Sequence, residues 1–167
     1  MKAIIVNQTT ETLNAQHKTE YNEKVLQKLL QEVIKKISVR KVRQKKLLSL
    51  KTVTLVFLTT QQMRKINKTF RQKNYATDVL SFAPTEIDSI GELLFCSAVL
   101  KKQALQQGHT EGHEFLYMLI HGLLHLLGYD HEMSVREEKI MFNIQDQIFH
   151  ELTEAKINLQ YKNVNRN

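Results

Sequence analysis

The chain has 167 residues with one cysteine, one proline, 42% apolar and 25% charged residues, and a formal net charge of +7. That balance suits a globular domain with a real core, and a single cysteine excludes an internal disulfide framework. No apolar run approaches the roughly 20 residues of a membrane span, the run at the start is too short for a secretory signal, and no Pro/Gly/Ser linker or repeat divides the chain. The expectation is one cytoplasmic domain over 1–157 and a frayed tail at 158–167.

In chain order, Ala3 to Val6 reads as a short strand, and Tyr21 to Ile37 as an amphipathic helix with Leu26, Leu29, Leu30, Val33 and Ile37 on one side. Lys51 to Leu58 alternates apolar residues with threonine, which favours a strand. Thr59 and Gln62 form a capping box for a helix running through Met63, Ile66 and Phe70. Two short strands follow near Thr77 to Phe82 and Gly91 to Cys96, then a helix from Ala98 to Gln106 that Gly108 ends. A nearly all-apolar helix spans Phe115 to Leu127, and Ser134 with Glu137 opens a last helix carrying Ile140, Met141, Ile144 and Ile148 on one side. The order predicts an α+β domain, a small mixed four-stranded sheet covered by about five helices. Strand directions stay open, because a helical crossover favours a parallel pair and the short last connection allows a hairpin.

Within the apolar helix the sequence His121-Gly-Leu-Leu-His125-Leu-Leu-Gly128-Tyr-Asp-His131 carries the chemistry. His121 and His125 are four residues apart and leave one helix face, while Gly128 can end the helix in the left-handed conformation and return His131 toward them. A lone histidine in such a helix is ordinarily a core residue; three at this spacing point to one shared metal ion. The spacing is that of metzincin zinc proteases, but Gly122 stands where those enzymes carry their general-base glutamate, so the site reads as metal-binding and not proteolytic. Three nitrogen ligands leave a fourth position for water. Cys96 is read as a small apolar residue, and Asp130 either orients a ligand imidazole or holds the turn.

Lys35, Lys36, Arg40, Lys41, Arg43, Lys45 and Lys46 form a basic run with no acid among them. Alone it reads as a solvated helix end; beside an open metal site it favours a phosphodiester, with Lys41, Arg43, Lys45 and Lys46 as candidate RNA contacts.

These residues resemble the YbeY family of bacterial rRNA-maturation endoribonucleases. The likeness lies in His121 to His131 and in an upstream segment from Ile66-Asn67 through Phe70-Arg71 to Thr77-Asp78-Val79-Leu80-Ser81-Phe82, with weaker agreement over Val53 to Ile148. The resemblance implies a cytoplasmic zinc-dependent, single-strand-specific endoribonuclease acting in 16S rRNA 3′-end maturation and small-subunit quality control. It places one Zn2+ on His121, His125 and His131 and a functional arginine at Arg71, with RNA and the small ribosomal subunit as partners and no DNA specificity or membrane contact. Ser81-Phe82-Ala83-Pro84 and Gly91-Glu92 depart from the family's Ser-Phe-Pro and Gly-Asp. Arg71 has its own warrant, since a guanidinium fork can hold two phosphate oxygens. Thr77 and Ser81 are weaker RNA-binding candidates, Glu114 is a candidate beside the metal, and Glu92, Glu114 and His113 are candidate general bases. Two rival functions stand: a non-enzymatic, metal-stabilised ribosome assembly factor, and a hydrolase of peptides or small molecules.

Overall fold

A computed structural model describes residues 1–7, 22–43, 49 and 52–155. The predicted elements appear as β1 (Lys2–Asn7), α1 (Glu23–Ser38), β2 (Thr52–Phe57), α2 (Thr60–Arg71), β3 (Val79–Phe82), β4 (Ser89–Phe95), α3 (Ser97–Gln107), α4 (Glu111–Leu126) and α5 (Val135–Glu154). The expected tail at 158–167 lies outside the described residues.

Both strand directions left open by the sequence are used. The sheet order is β1-β2-β4-β3, with β1–β2 and β2–β4 parallel and β3–β4 an antiparallel pair. The parallel pairs follow from helical crossovers, and the short 83–88 connection closes the antiparallel pair. β3 is therefore an edge strand.

Alternation along β2 makes the sheet two-sided. Val53, Leu55 and Phe57 join the larger core with α1, α4 and α5, while Val56 turns to a smaller cluster with Met63 of α2, Leu80 and Leu94. Phe57, Phe95 and Phe115 meet at centroid distances of 5.0 to 5.8 Å and fix α4 to the sheet. Cutting the fully buried Phe115 to alanine would cost about 3–5 kcal/mol. Phe70 departs from the helical stripe read in the sequence: it is 66% exposed, and Asn67 takes the buried place beside Met63.

Local signals set the helix ends that matter for the site. Thr59 and Gln62 cap α2 reciprocally, and Ser134 accepts from the Glu137 amide to start α5. Glu137 does not return a bond to the cap; its side chain pairs with Arg43 instead. Two glycines let α4 lie close on β3 and β4. A Cβ on Gly91, whose φ is +133°, would stand 2.4 Å from the Phe82 carbonyl oxygen and 2.7 Å from a Leu126 methyl, and one on Gly122 would stand 2.7 Å from a Leu93 methyl.

Candidate metal centre and cleft

α4 carries His121 and His125 one turn apart on one face, with ring centroids 4.6 Å apart. After Leu126 the chain reverses at Gly128, φ +84°, and the Tyr129 amide donates back to the Leu124 carbonyl at 3.1 Å. The return sets the His131 ring 5.1 Å from His121 and 5.2 Å from His125, and one ring nitrogen from each histidine lies within 4.8 Å of the others. Phe142 of α5 packs on His131 at 5.5 Å and on His121 at 6.1 Å, closing one side.

The hydrogen bonds fix which nitrogen of each helical histidine faces the centre. Gln145 Nε2 donates to the Tyr117 carbonyl at 3.3 Å, so its Oε1 is the atom facing His121 Nδ1 at 3.0 Å, and Nδ1–H donates to it. His125 Nδ1 lies 2.8 Å from the Tyr129 carbonyl oxygen, which can only accept, so that nitrogen also carries its hydrogen. In the neutral rings both Nε2 atoms are then lone pairs, and they face each other across 3.1 Å. Two acceptors at that distance need a cation between or beside them. Two imidazoles on one tetrahedral zinc stand about 3.3–3.4 Å apart, from Zn–N bonds of about 2.0–2.1 Å, so this donor set fits such an ion. Burial pushes the His121 imidazole down to about 4, with the neighbouring His125 and His131 acting in the same direction against the Gln145 bond. His125 is lowered too, by burial first and then by His131. Both groups therefore stay neutral near pH 7, the state that ligates.

The three histidines open into a cleft of about 920 Å3 that residues of the segment from Arg71 to Ser81 also line. Arg71, Thr77 and Ser81, the candidate RNA contacts, line it, Thr77 donating its hydroxyl to Asp78 and Ser81 donating to the Gly122 carbonyl. The Arg71 guanidinium pairs with Glu132, next to His131, and its charge reaches His125. Arg71 also pulls the Glu132 carboxyl below its ordinary range through that hydrogen bond.

Several expected placements are corrected. Glu114 is buried two turns up α4 and faces His109 at 3.2 Å, away from the metal histidines; burial raises its carboxyl, with His109 opposing. Neither Glu92 nor His113 lines the cleft, and His113 Nδ1 instead meets the Thr110 hydroxyl at 2.9 Å. Asp130 does line it, but its Oδ1 accepts from the Glu132 amide at 2.9 Å, so it holds the turn while the Tyr129 carbonyl orients His125. Arg43 is a brace: it donates to the Gly128 carbonyl, pairs with Glu137 and lies 5.0 Å over the Tyr129 ring, while its amide donates to the Tyr129 hydroxyl. Lys36 and Arg40 of the basic run pair with Glu151 of α5, Lys41 is exposed, and Lys45 and Lys46 lie outside the described residues.

Sequence reasoning missed the roles of Gln145 and Glu132. Gln145 had one usable signal, a fully buried amide on the apolar side of an amphipathic helix, which must find partners.

A mixed sheet carrying an edge strand, with two histidines on a buried helix and a third returned by a glycine turn, defines an α+β protein whose three clustered histidines could hold a metal ion. The family model described as Endoribonuclease YbeY matches residues 11–153, and the chain belongs to the YbeY family. It is 56% identical over 97 residues to "Endoribonuclease YbeY" of Bdellovibrio bacteriovorus, covering 58% of this chain and 65% of that relative. It is 37% identical over 144 residues to the protein of the same name from Sulfurihydrogenibium, covering 82% of this chain and 90% of the relative. The solution structure of a Thermotoga maritima protein matches with a TM-score of 0.57 and 27% identity over 92% of each chain.

Proposed function

We propose that the chain is a zinc-dependent endoribonuclease that cuts single-stranded RNA in the cytoplasm, with 16S rRNA of the small ribosomal subunit as its target. Family membership and the names of its relatives support the endoribonuclease part of this reading, and the ribosomal target rests on the motif resemblance alone. The observation that carries the metal part is the pair of Nε2 lone pairs facing each other at 3.1 Å, each fixed by an acceptor behind its ring. His121, His125 and His131 would hold the ion, which when bound supplies a Lewis acid and lowers the pKa of water. Arg71 offers two parallel donors to the non-bridging oxygens of the phosphate under attack, where charge grows in the transition state. A phosphate arriving there would displace Glu132 from Arg71, and the freed carboxylate would take the proton of the attacking oxygen, from water or the adjacent 2′-hydroxyl, as that oxygen bonds to phosphorus and the departing oxygen keeps the electron pair of the broken P–O bond and takes a proton from solvent. Gly122 weighs against the zinc-protease arrangement, because it lacks the carboxylate and a side chain there would press on a methyl of the buried Leu93.

The test is cleavage of a defined single-stranded RNA by protein purified without a histidine tag, with metal content measured alongside. Arg71→Ala should keep its metal and fold and lose roughly a hundredfold or more in turnover. His125→Ala should lose both metal and cleavage. Wild-type cleavage by Arg71→Ala, or intact RNA with metal-loaded wild type, would sink the proposal.

A further inference from the structure

The segment joining α2 to β3 has no regular structure, yet every second residue from Arg71 lines the cleft: Arg71, Lys73, Tyr75 and Thr77. It is held firmly. Asn67, 1% exposed, donates through Nδ2 to the Tyr75 carbonyl at 2.8 Å; the Lys73 amide donates to the Asn67 carbonyl at 3.3 Å, and Arg64 Nε donates to Asn74 Oδ1 at 3.0 Å. Gln72 enters the segment in the left-handed region, φ +59°, an uncommon conformation for a residue with a side chain. A buried amide thus fixes the backbone beneath a tyrosine that is itself 55% exposed and outside both core clusters. Core packing gives no account of that ring.

We infer that Tyr75 is a stacking platform for an unpaired base next to the phosphate held at Arg71, and that this ring makes the cleft select single-stranded over duplex RNA. The inference rests on the reading of the cleft as an RNA site and names the residue that sets its preference. Flat aromatic faces bind any unstacked base, whereas bases inside an A-form duplex are already stacked and paired. The neighbouring Lys73 ammonium and Arg71 guanidinium supply the charge that a polynucleotide backbone needs beside such a face. Phe70 is the internal contrast: it is exposed as well, but its ring sits edge-on to Phe82 at 5.0 Å and it does not line the cleft.

The experiment uses the full chain with its metal and an oligoribonucleotide carrying one 2-aminopurine, offered single-stranded or in a duplex, with fluorescence and affinity read by stopped flow before product accumulates. Tyr75→Ala should weaken single-strand binding about tenfold or more and relieve the fluorescence quench, with duplex affinity unchanged. Tyr75→Phe should behave as wild type, since the face and not the hydroxyl is used, and so should Phe70→Ala. Undiminished single-strand affinity in Tyr75→Ala, or an equal loss for duplex, overturns the inference. The readout is binding, so a chain that stacks the base without cutting RNA sinks the nuclease reading alone, and one that cuts RNA while Tyr75→Ala binds normally sinks this one alone.

Discussion

Replacing Gln145 by leucine removes the acceptor behind His121 together with the longer Nε2–H bond to the Tyr117 carbonyl, and leaves the shape of the side chain nearly intact. Gln145 is fully buried and receives the Nδ1 hydrogen of His121 at 3.0 Å. Without it, two outcomes remain for that ring. Either Nδ1–H stays buried without an acceptor, which costs about 1–3 kcal/mol of stability, or the proton moves to Nε2 and the nitrogen facing the centre is no longer a ligand. Removing an orienting partner of this kind lowers metal affinity about 10- to 100-fold, or about 1.4–2.7 kcal/mol. The assay is a zinc competition titration against a chromophoric chelator at pH 7, with circular dichroism to show that the variant is folded. Gln145→Glu, which keeps an acceptor at the same place, should hold the ion at least as well as wild type while the metal-free protein loses stability from the buried charge. A folded Gln145→Leu protein that binds zinc within about twofold of wild type would refute the reasoning, since His121 would then need no partner behind it.

Acid should destabilise the metal-free protein in a defined window. His121 titrates at about 4 in the folded chain and at 6.5 when unfolded, so below about 6.5 the unfolded state takes up a proton that the folded state refuses. Stability is therefore complete above pH 6.5 and falls as the pH drops toward about 4, by on the order of 3 kcal/mol at about 1.4 kcal/mol per pH unit; urea unfolding of chelator-treated protein should show this slope reduced in His121→Phe, and equal slopes would contradict it. Gly122→Glu, which restores the zinc-protease spacing, should yield no peptidase and lower the thermal midpoint by roughly 6–12 °C, from about 3 kcal/mol or more of overpacking and carboxylate burial. A calorimetric midpoint equal to wild type would show that Leu93 yields to the new side chain. Glu132→Gln should leave stability within about 0.5 kcal/mol, because its ion pair with Arg71 is exposed, yet tighten RNA binding several-fold and slow turnover. Unchanged affinity and unchanged turnover in single-turnover kinetics would remove Glu132 from both roles.

Thr59 with Gln62, Gly108, Gly128 and Ser134 could be read in the sequence because each acts within a few residues of itself, and all of them end or start helices in the structure. The three histidines were legible for the same reason: helix pitch and one glycine turn determine their convergence. The supports behind them were not. One is the Tyr129 carbonyl, a group every residue possesses, and the other arrives from α5, 24 positions along the chain. Arg43 looked like free positive charge because its partners Glu137 and Gly128 lie more than 80 residues away. Glu114 was misplaced through the opposite fault: its actual partner, His109, is only five residues back, across the short turn between α3 and α4. Strand order rested wholly on long-range pairing and had no local sign.

Every ligand of the candidate metal centre, and both groups that orient them, fall between Tyr117 and Gln145, whereas Arg71 and Tyr75 come from a separate stretch earlier in the chain. The centre is thus contained in one helical hairpin, a unit of local contacts that closes quickly and can open on its own. Chelation should therefore speed amide exchange in α4 and α5 while leaving protection in the capped start of α2 little altered. An ion held here would tie the two helices of one hairpin together, while the wall that would receive RNA belongs to a separate stretch of chain.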